Sequence, residues 1–384
     1  MALALTGARV FDGERIRDGA AVVVEGRFIR AVADESELAP DVKRRGVRGL
    51  LAPGFIDVQV NGGGGVLFNA EPTVEAIRAI GAAHRRFGTT GFLPTLITDR
   101  REKMAAAIVA VSAARAAAMP GVLGIHLEGP FLNPERKGAH DAAFMREMDE
   151  GDIALMTSLG GGRTLVTLAP EMVPADAIAR LAAAGVVVAA GHTAASYETI
   201  KAARRHGLSG FTHLFNAMPP LASRDPGPAG AALDDPDAWC GIIVDLHHVA
   251  PATLRIALAA RGPDRMMLVT DAMPSVGSDL AHFDLLGQTV RRENGMLTTA
   301  DGTLAGSDLD MAGAVRNTVA HVGVRLEDAL RMASLAPAAF LRLDNERGRI
   351  KPGFRADLVL LDDRLEVTET WIDGVTSAPP ESNG

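Results

Sequence analysis

Several short apolar runs in this chain end in residues that bind metals or move protons. The run Gly121 to Leu127 ends in His126-Leu127-Glu128, and Val186 to Ala190 leads into Gly191-His192. The run near Phe211 leads into Thr212-His213, Gly241 to Val244 into Asp245-Leu246-His247-His248, and Met266 to Thr270 into Asp271. Two imidazoles and a carboxylate suffice to hold Zn²⁺ while leaving one coordination position open for water. The metal lowers the pKa of that water toward neutrality. A separate carboxylate beside it can take and return the proton. The chemistry that these residue types can perform together is metal-assisted hydrolysis.

Such residues must be brought together by the elements that carry them. The intervals from Glu128 through His192, His213 and His248 to Asp271 are 64, 21, 35 and 23 residues. A strand–helix unit takes roughly 30 residues or somewhat fewer, so each residue can end a different strand. Between the runs lie Ala-rich amphipathic segments: Val74 to Phe87, Arg100 to Ala118, Ala175 to Ala184, Tyr197 to His206, Pro251 to Ala260 and Leu326 to Ser334. Strand and helix alternating about eight times predict a parallel sheet, and a (β/α)₈ barrel of roughly 250 residues fits the length. In a barrel the C-terminal strand ends converge on one site. An open doubly wound sheet is disfavoured: no Gly-x-Gly-x-x-Gly opens a helix, and the run Gly62 to Gly65 lacks the Lys-Ser/Thr of a phosphate loop.

The two ends read differently. Ala2 to Val10, Ala20 to Val24 and Arg27 to Ala33 are strand-like and separated by turns such as Asp12-Gly13. Ala356 to Leu361 and Val367 to Ile372 are strand-like as well. Residues 1–50 and 348–384 are therefore expected to form one small β domain, with the barrel over 51–347.

Composition narrows the field. The chain has 384 residues and a net charge of −8, which excludes a global basic footprint for nucleic acid. An anionic substrate would need a local cationic pocket. The apolar stretches are too short to span a bilayer, and the opening MALALTGARVFDGERI lacks the basic n-region of a secretory leader. One cysteine, Cys240, allows no intrachain disulfide, so a cytoplasmic location is expected, with Cys240 as core filler. His84, His206 and His321 in helical segments, and His282 in a hairpin, are read as ordinary hydrogen-bonded or surface groups.

The strings Pro53-Gly54-Phe55-Ile56-Asp57, His126-Leu127-Glu128-Gly129-Pro130-Phe131, Gly191-His192-Thr193, Thr212-His213-Leu214-Phe215-Asn216-Ala217-Met218 and Val269-Thr270-Asp271-Ala272 closely resemble those of N-acetylglucosamine-6-phosphate deacetylases. Leu304-Ala305-Gly306-Ser307 and Pro352-Gly353-Phe354-Arg355-Ala356-Asp357-Leu358-Val359 fit too, and the likeness runs in order over nearly the whole chain. The resemblance implies a TIM barrel, a small β-sandwich built from both termini, and a homodimer acting on an amino-sugar phosphate. It implies Glu128, His192 and His213 as metal ligands. Asp271 would be the general base and then the acid that protonates the leaving amine. His140 would contact the substrate near its acetyl group and His248 would bind substrate. Asn216 and Ala217 would meet the phosphate through backbone groups, and Arg224 would bind it, in cis or across the dimer.

Many amidohydrolases carry His-x-His at the end of the first barrel strand to hold a second metal, whereas this chain has Gln59-Val60-Asn61. Neutral amides are poor ligands for first-row metals beside imidazole. One tightly held divalent metal is expected, zinc first and Fe²⁺ second, with Gln59 and Asn61 supporting it or holding water. Whether His247 or His248 faces the site is open at this level. Rival readings are deacetylation of the galactosamine isomer and cyclic-amide hydrolysis, the latter disfavoured by the scarcity of lysine. A barrel that has lost its chemistry would show gaps in the ligand set.

Overall fold

The computed structural model describes residues 2–174 and 176–378. Ala175, which opens one expected helix, and residues 379–384 of the expected small domain lie outside the described residues.

The chain begins in two facing sheets. One runs Phe28–Asp34, Ala20–Glu25, Ala2–Thr6, Lys43–Gly46 in spatial order. The other takes strands from both chain ends, in the order Val375–Thr376, Val367–Ile372, Leu358–Leu361, Leu50–Pro53, Arg9–Phe11, Ile16–Arg17. Leu5, Val22 and Ile29 of the first sheet share one apolar cluster with Leu51, Leu358 and Trp371 of the second. Burying two apolar faces against each other makes a sandwich. The expected single strand Ala2 to Val10 is split at Gly7, whose φ of +86° turns the chain from one sheet into the other. Leu50–Pro53 pairs antiparallel with Leu358–Leu361, so the change from sandwich to barrel falls at Gly54.

Eight parallel strands follow: β1 Phe55–Val60, β2 Thr89–Ile97, β3 Gly124–Glu128, β4 Arg163–Leu168, β5 Val187–Ala190, β6 Leu208–Phe211, β7 Trp239–Ile242 and β8 Met266–Leu268. Each pairs with its successor in the chain. The ring closes just beyond β8, where Val60 bridges Ala272 in parallel and the Asp271 N–H donates to the Gln59 carbonyl at 3.0 Å. The expected (β/α)₈ barrel is the fold.

The helices form where apolar residues recur every three to four positions. In Arg101–Ala116 the residues Met104, Ala107, Ile108, Val111 and Ala114 make the buried stripe. Val74–Arg85 starts at Thr73, whose side chain accepts from the Ala76 N–H, and Tyr197–Arg205 starts at Ser196, which caps Thr199. Gly227–Asp234, Met311–Asn317 and Leu335–Phe340 are helices that the sequence reading did not anticipate. Among the described residues no helix is long and apolar enough to cross a membrane.

One insertion shapes the mouth of the barrel. His282–Leu285, Gln288–Glu293 and Met296–Thr298 form an antiparallel sheet after β8. Phe283, Leu285, Val290 and Leu297 from this sheet cluster with Ile97 at the end of β2 and Met273 beyond β8. That packing holds residues 303–306 over the C-terminal strand ends. Cys240 is buried in β7, and burial pushes its thiol up to about 12, as suits core filler. His84 is buried too, with Nε2 2.9 Å from the Gly62 carbonyl.

Candidate active site

A cavity of about 340 Å³ opens at the C-terminal ends of the strands. Glu128, His140, His192, His213, Asn216, Ala217, His248 and Asp271 all line it. Eight residues read from the sequence thus meet in one place. Arg224 does not: it stands exposed on the loop before Gly227–Asp234 and is absent from the wall of this cavity.

At the centre three donor atoms converge. His213 Nε2 lies 3.0 Å from Glu128 Oε1, His192 Nε2 lies 3.2 Å from the same oxygen, and the two Nε2 atoms are 3.1 Å apart. With metal–ligand bonds of about 2.0 Å, the edge of a tetrahedron is about 3.3 Å, so this triangle fits one small divalent cation. His192 Nδ1 is 2.8 Å from the Arg136 carbonyl, an acceptor only, so the proton sits on Nδ1 and Nε2 offers its lone pair. Burial alone would raise Glu128, but hydrogen bonds with His192 and His213 hold it well below the usual carboxylate range. Burial would lower His213, yet the Glu128 carboxylate outweighs it and raises that imidazole. The cluster is built to hold positive charge against a buried carboxylate.

His140 also brings a ring nitrogen within 4.8 Å of ligand atoms of Glu128 and His192. Its Nδ1 accepts from the Thr98 N–H at 3.4 Å and lies 2.8 Å from the Thr98 hydroxyl. With Nδ1 accepting, the ring carries its proton on Nε2 and is a hydrogen-bond donor rather than a ligand. Burial, and then the neighbouring His192, keep this ring well below the usual histidine range, so it is neutral.

Asp271 follows β8 and is held from β1. Gln59 Nε2 donates to Asp271 Oδ1 at 3.1 Å and also to Glu128 Oε2 at 3.1 Å. Asn61 Nδ2 donates to the same Asp271 oxygen at 2.6 Å, while Asn61 Oδ1 is buried without a partner. Where other barrels place His-x-His, two carboxamides here hold Asp271, and Gln59 also links it to Glu128. Burial, and then the charge of Glu128, push Asp271 up to about 6. A carboxyl poised there can exchange protons near neutral pH.

The backbone bends sharply to present these groups. His192, His213 and Asp271 have φ of +50°, +31° and +54°, a region that non-glycine residues seldom occupy. Each stands two or three residues beyond its strand, where the chain must turn while the side chain still lines the cavity.

Of the two adjacent histidines, His247 is exposed and His248 lines the cavity, with Nδ1 2.6 Å from Asp245 Oδ2. Burial would raise Asp245, but the hydrogen bond from His248 holds it down. Four participants were given no role by the sequence alone. Asp57 and Thr270 bind each other beneath the site, Thr98 sets the tautomer of His140, and Arg136 lines the cavity. Asp57 and Thr270 fall inside quoted motifs, so their strings were visible while their pairing was not.

A parallel barrel with one carboxylate and two imidazoles around a metal-sized triangle, and a second carboxylate beside it, defines a metal-dependent hydrolase site. A profile of the amidohydrolase family matches residues 50–376, and a profile described as the NagA composite domain matches residues 3–51. An N-acetylgalactosamine-6-phosphate deacetylase from Shewanella sp. (strain ANA-3) is 45% identical over 326 residues, covering 85% of this chain and 82% of that protein. An N-acetylglucosamine-6-phosphate deacetylase from Haemophilus influenzae is 34% identical, covering 92% and 93%. The crystal structure of N-acetylglucosamine-6-phosphate deacetylase from Pasteurella multocida superposes with a TM-score of 0.96 at 32% identity, covering 99% of this chain and 100% of that one. The chain belongs to the amidohydrolase family, in the branch that contains the N-acetylglucosamine-6-phosphate deacetylases.

Proposed function

We propose that this enzyme hydrolyses the acetamide of N-acetyl-D-glucosamine 6-phosphate, giving D-glucosamine 6-phosphate and acetate. The observation that carries the reading is the 3.0–3.2 Å triangle of Glu128, His192 and His213 beside Asp271. We assign those three as holders of one divalent cation, zinc first and Fe²⁺ second. A cation there supplies a Lewis acid for the acetyl carbonyl and lowers the pKa of water.

The chain's own groups do the rest. An amide needs a polarised carbonyl, an activated water and a protonated leaving amine. His140 donates from Nε2 to the acetyl oxygen. Asp271, fixed by Gln59 and Asn61, takes the proton from the attacking water and returns it to the sugar nitrogen. His248, oriented by Asp245, binds a substrate hydroxyl. Backbone groups of Asn216 and Ala217 meet the phosphate. Arg224 serves the site only across a homodimer, since within one chain it lies outside the cavity. A cytoplasmic location accords with an intracellular sugar phosphate.

The Shewanella relative favours a second reading, deacetylation of the galactosamine isomer, which differs at one hydroxyl. Acetate release from both epimers, with and without a strong chelator, tests the proposal. Release from the glucosamine epimer that the chelator abolishes supports it. Release from the galactosamine epimer alone establishes the second reading, and release from neither, with zinc or iron restored, rejects both.

A further inference from the structure

Among the described residues, neither β4 nor the segment from it to the end of β5 lines the cavity. The fourth strand serves the site at one remove, through Glu171 in the short turn Pro170–Met172 just past it. The Glu171 carboxylate accepts from the Thr193 hydroxyl at 2.6 Å, from the Ala194 N–H at 2.7 Å and from Asn133 Nδ2 at 3.0 Å. Thr193 and Ala194 stand beyond β5 and Asn133 beyond β3, so one side chain ties three successive barrel loops together. Thr193 is fully buried, and its hydroxyl also accepts from the Ala195 N–H at 3.0 Å.

The donors that Glu171 holds all bear on His192. Thr193 and Ala194 are the next residues along the chain, and His192 itself sits at φ +50°. Such a conformation persists only where the surrounding structure fixes it. On the other side, the Asn133 N–H donates to the His192 carbonyl at 3.0 Å, and Asn133 Oδ1 accepts from the Glu135 N–H at 2.9 Å. The same loop carries Arg136, whose carbonyl accepts from His192 Nδ1 at 2.8 Å. Glu171 therefore grips both the chain that follows His192 and the loop that sets its tautomer. Hydrogen bonds to a carboxylate are stronger than those between neutral groups, which suits it to hold a strained turn.

We infer that Glu171 is a positioning residue for the metal site, locking the His192 turn so that Nε2 stays in the triangle with Glu128 and His213. The inference rests on the assignment of those three residues to one cation. Glu171 lines no part of the cavity and acts only through the two loops. Glu171→Ala removes all three hydrogen bonds. Glu171→Gln keeps an oxygen for Ala194 and Asn133 and turns an N–H toward the Thr193 hydroxyl, which can accept it.

The test is zinc affinity, read by competition with a chromophoric chelator, together with the visible absorption of the Co²⁺-substituted protein. Both are measured on the wild type, Glu171→Ala and Glu171→Gln. The alanine variant should bind zinc about 10–100-fold more weakly, the usual effect of losing a group that orients a metal ligand. Its Co²⁺ bands should change, and the glutamine variant should recover most of the affinity and the wild-type spectrum. Unchanged zinc affinity and Co²⁺ spectrum in Glu171→Ala, even with a lower thermal midpoint, would make the residue merely structural and overturn the inference. Should that variant not fold, Thr193→Val removes one of the three bonds, and wild-type affinity in it overturns the inference equally. Neither readout needs a substrate. A wild type that binds zinc but releases no acetate fails the proposed deacetylation alone, whereas one that takes up no zinc overturns the cation assignment and the role of Glu171 together.

Discussion

The carboxylate of Asp57 accepts hydrogen bonds from both the hydroxyl and the backbone N–H of Thr270, and it is fully buried beneath the site. It also accepts from the Gln59 N–H at 3.2 Å. One side chain in β1 thereby sets two neighbours of the reaction, Gln59 two residues on and Asp271 next to Thr270. Burial pushes the Asp57 carboxyl up to about 7, and the hydrogen bonds from Thr270 and Gln59 pull against that rise.

Thr270→Val keeps the shape and deletes one donor. A buried acceptor left short costs about 1–3 kcal/mol. We expect a lower thermal midpoint and a fall in kcat of about tenfold, with metal content unchanged. Normal kcat in a fully metal-loaded variant would show that the clamp does not position Asp271.

Asp271→Asn should fold and bind metal, because Asp271 stands outside the donor triangle. Turnover should fall by about 10²–10⁴-fold, the usual contribution of a general base. Near-normal turnover would remove Asp271 from that role.

His192→Ala or His213→Ala opens the triangle. Elemental analysis of either purified variant should find far less than one metal per chain, with activity lost in parallel. A full complement of metal in both would place the cation elsewhere, with His140 the first alternative.

The pH profile should show an acid limb. Burial and the Glu128 charge raise Asp271 to about 6, and only its ionised form can accept a proton. Activity should therefore be full above that value and fall about tenfold per pH unit below it. A cation in the triangle opposes the Glu128 charge, so the limb of the loaded enzyme lies at or below about pH 6. Constant kcat/KM down to pH 4, with the metal retained, would contradict the assignment.

Much of this was legible in the chain. Strand-end His and Asp residues at intervals of 21–35 residues announce separate strands of one ring, because each βα unit consumes a fixed length of chain. What escaped detection depends on three-dimensional register. Nothing local in Asp57 reveals that Thr270, 213 residues away, lies beside it. The hairpin at His282 was legible, but nothing local in it announces a third strand, Met296–Thr298, or its packing at the mouth of the barrel. Arg136 and Arg224 look alike as residues in loops. Only the path of the backbone puts the first against the cavity and leaves the second in solvent.

The closure of β1 against the segment beyond β8 has a consequence for the order in which competence is acquired. Glu128, His192 and His213 lie within the first five-ninths of the chain, so a ribosome still at work can already have delivered a complete set of metal donors. Asp271 comes later, yet it is held by Gln59 and Asn61, which emerged first. A chain cut short before residue 271 would lack both the carboxylate that Gln59 and Asn61 hold and the bridge that joins Val60 to Ala272. Under the proposed function, turnover is therefore a certificate that the ring has been joined.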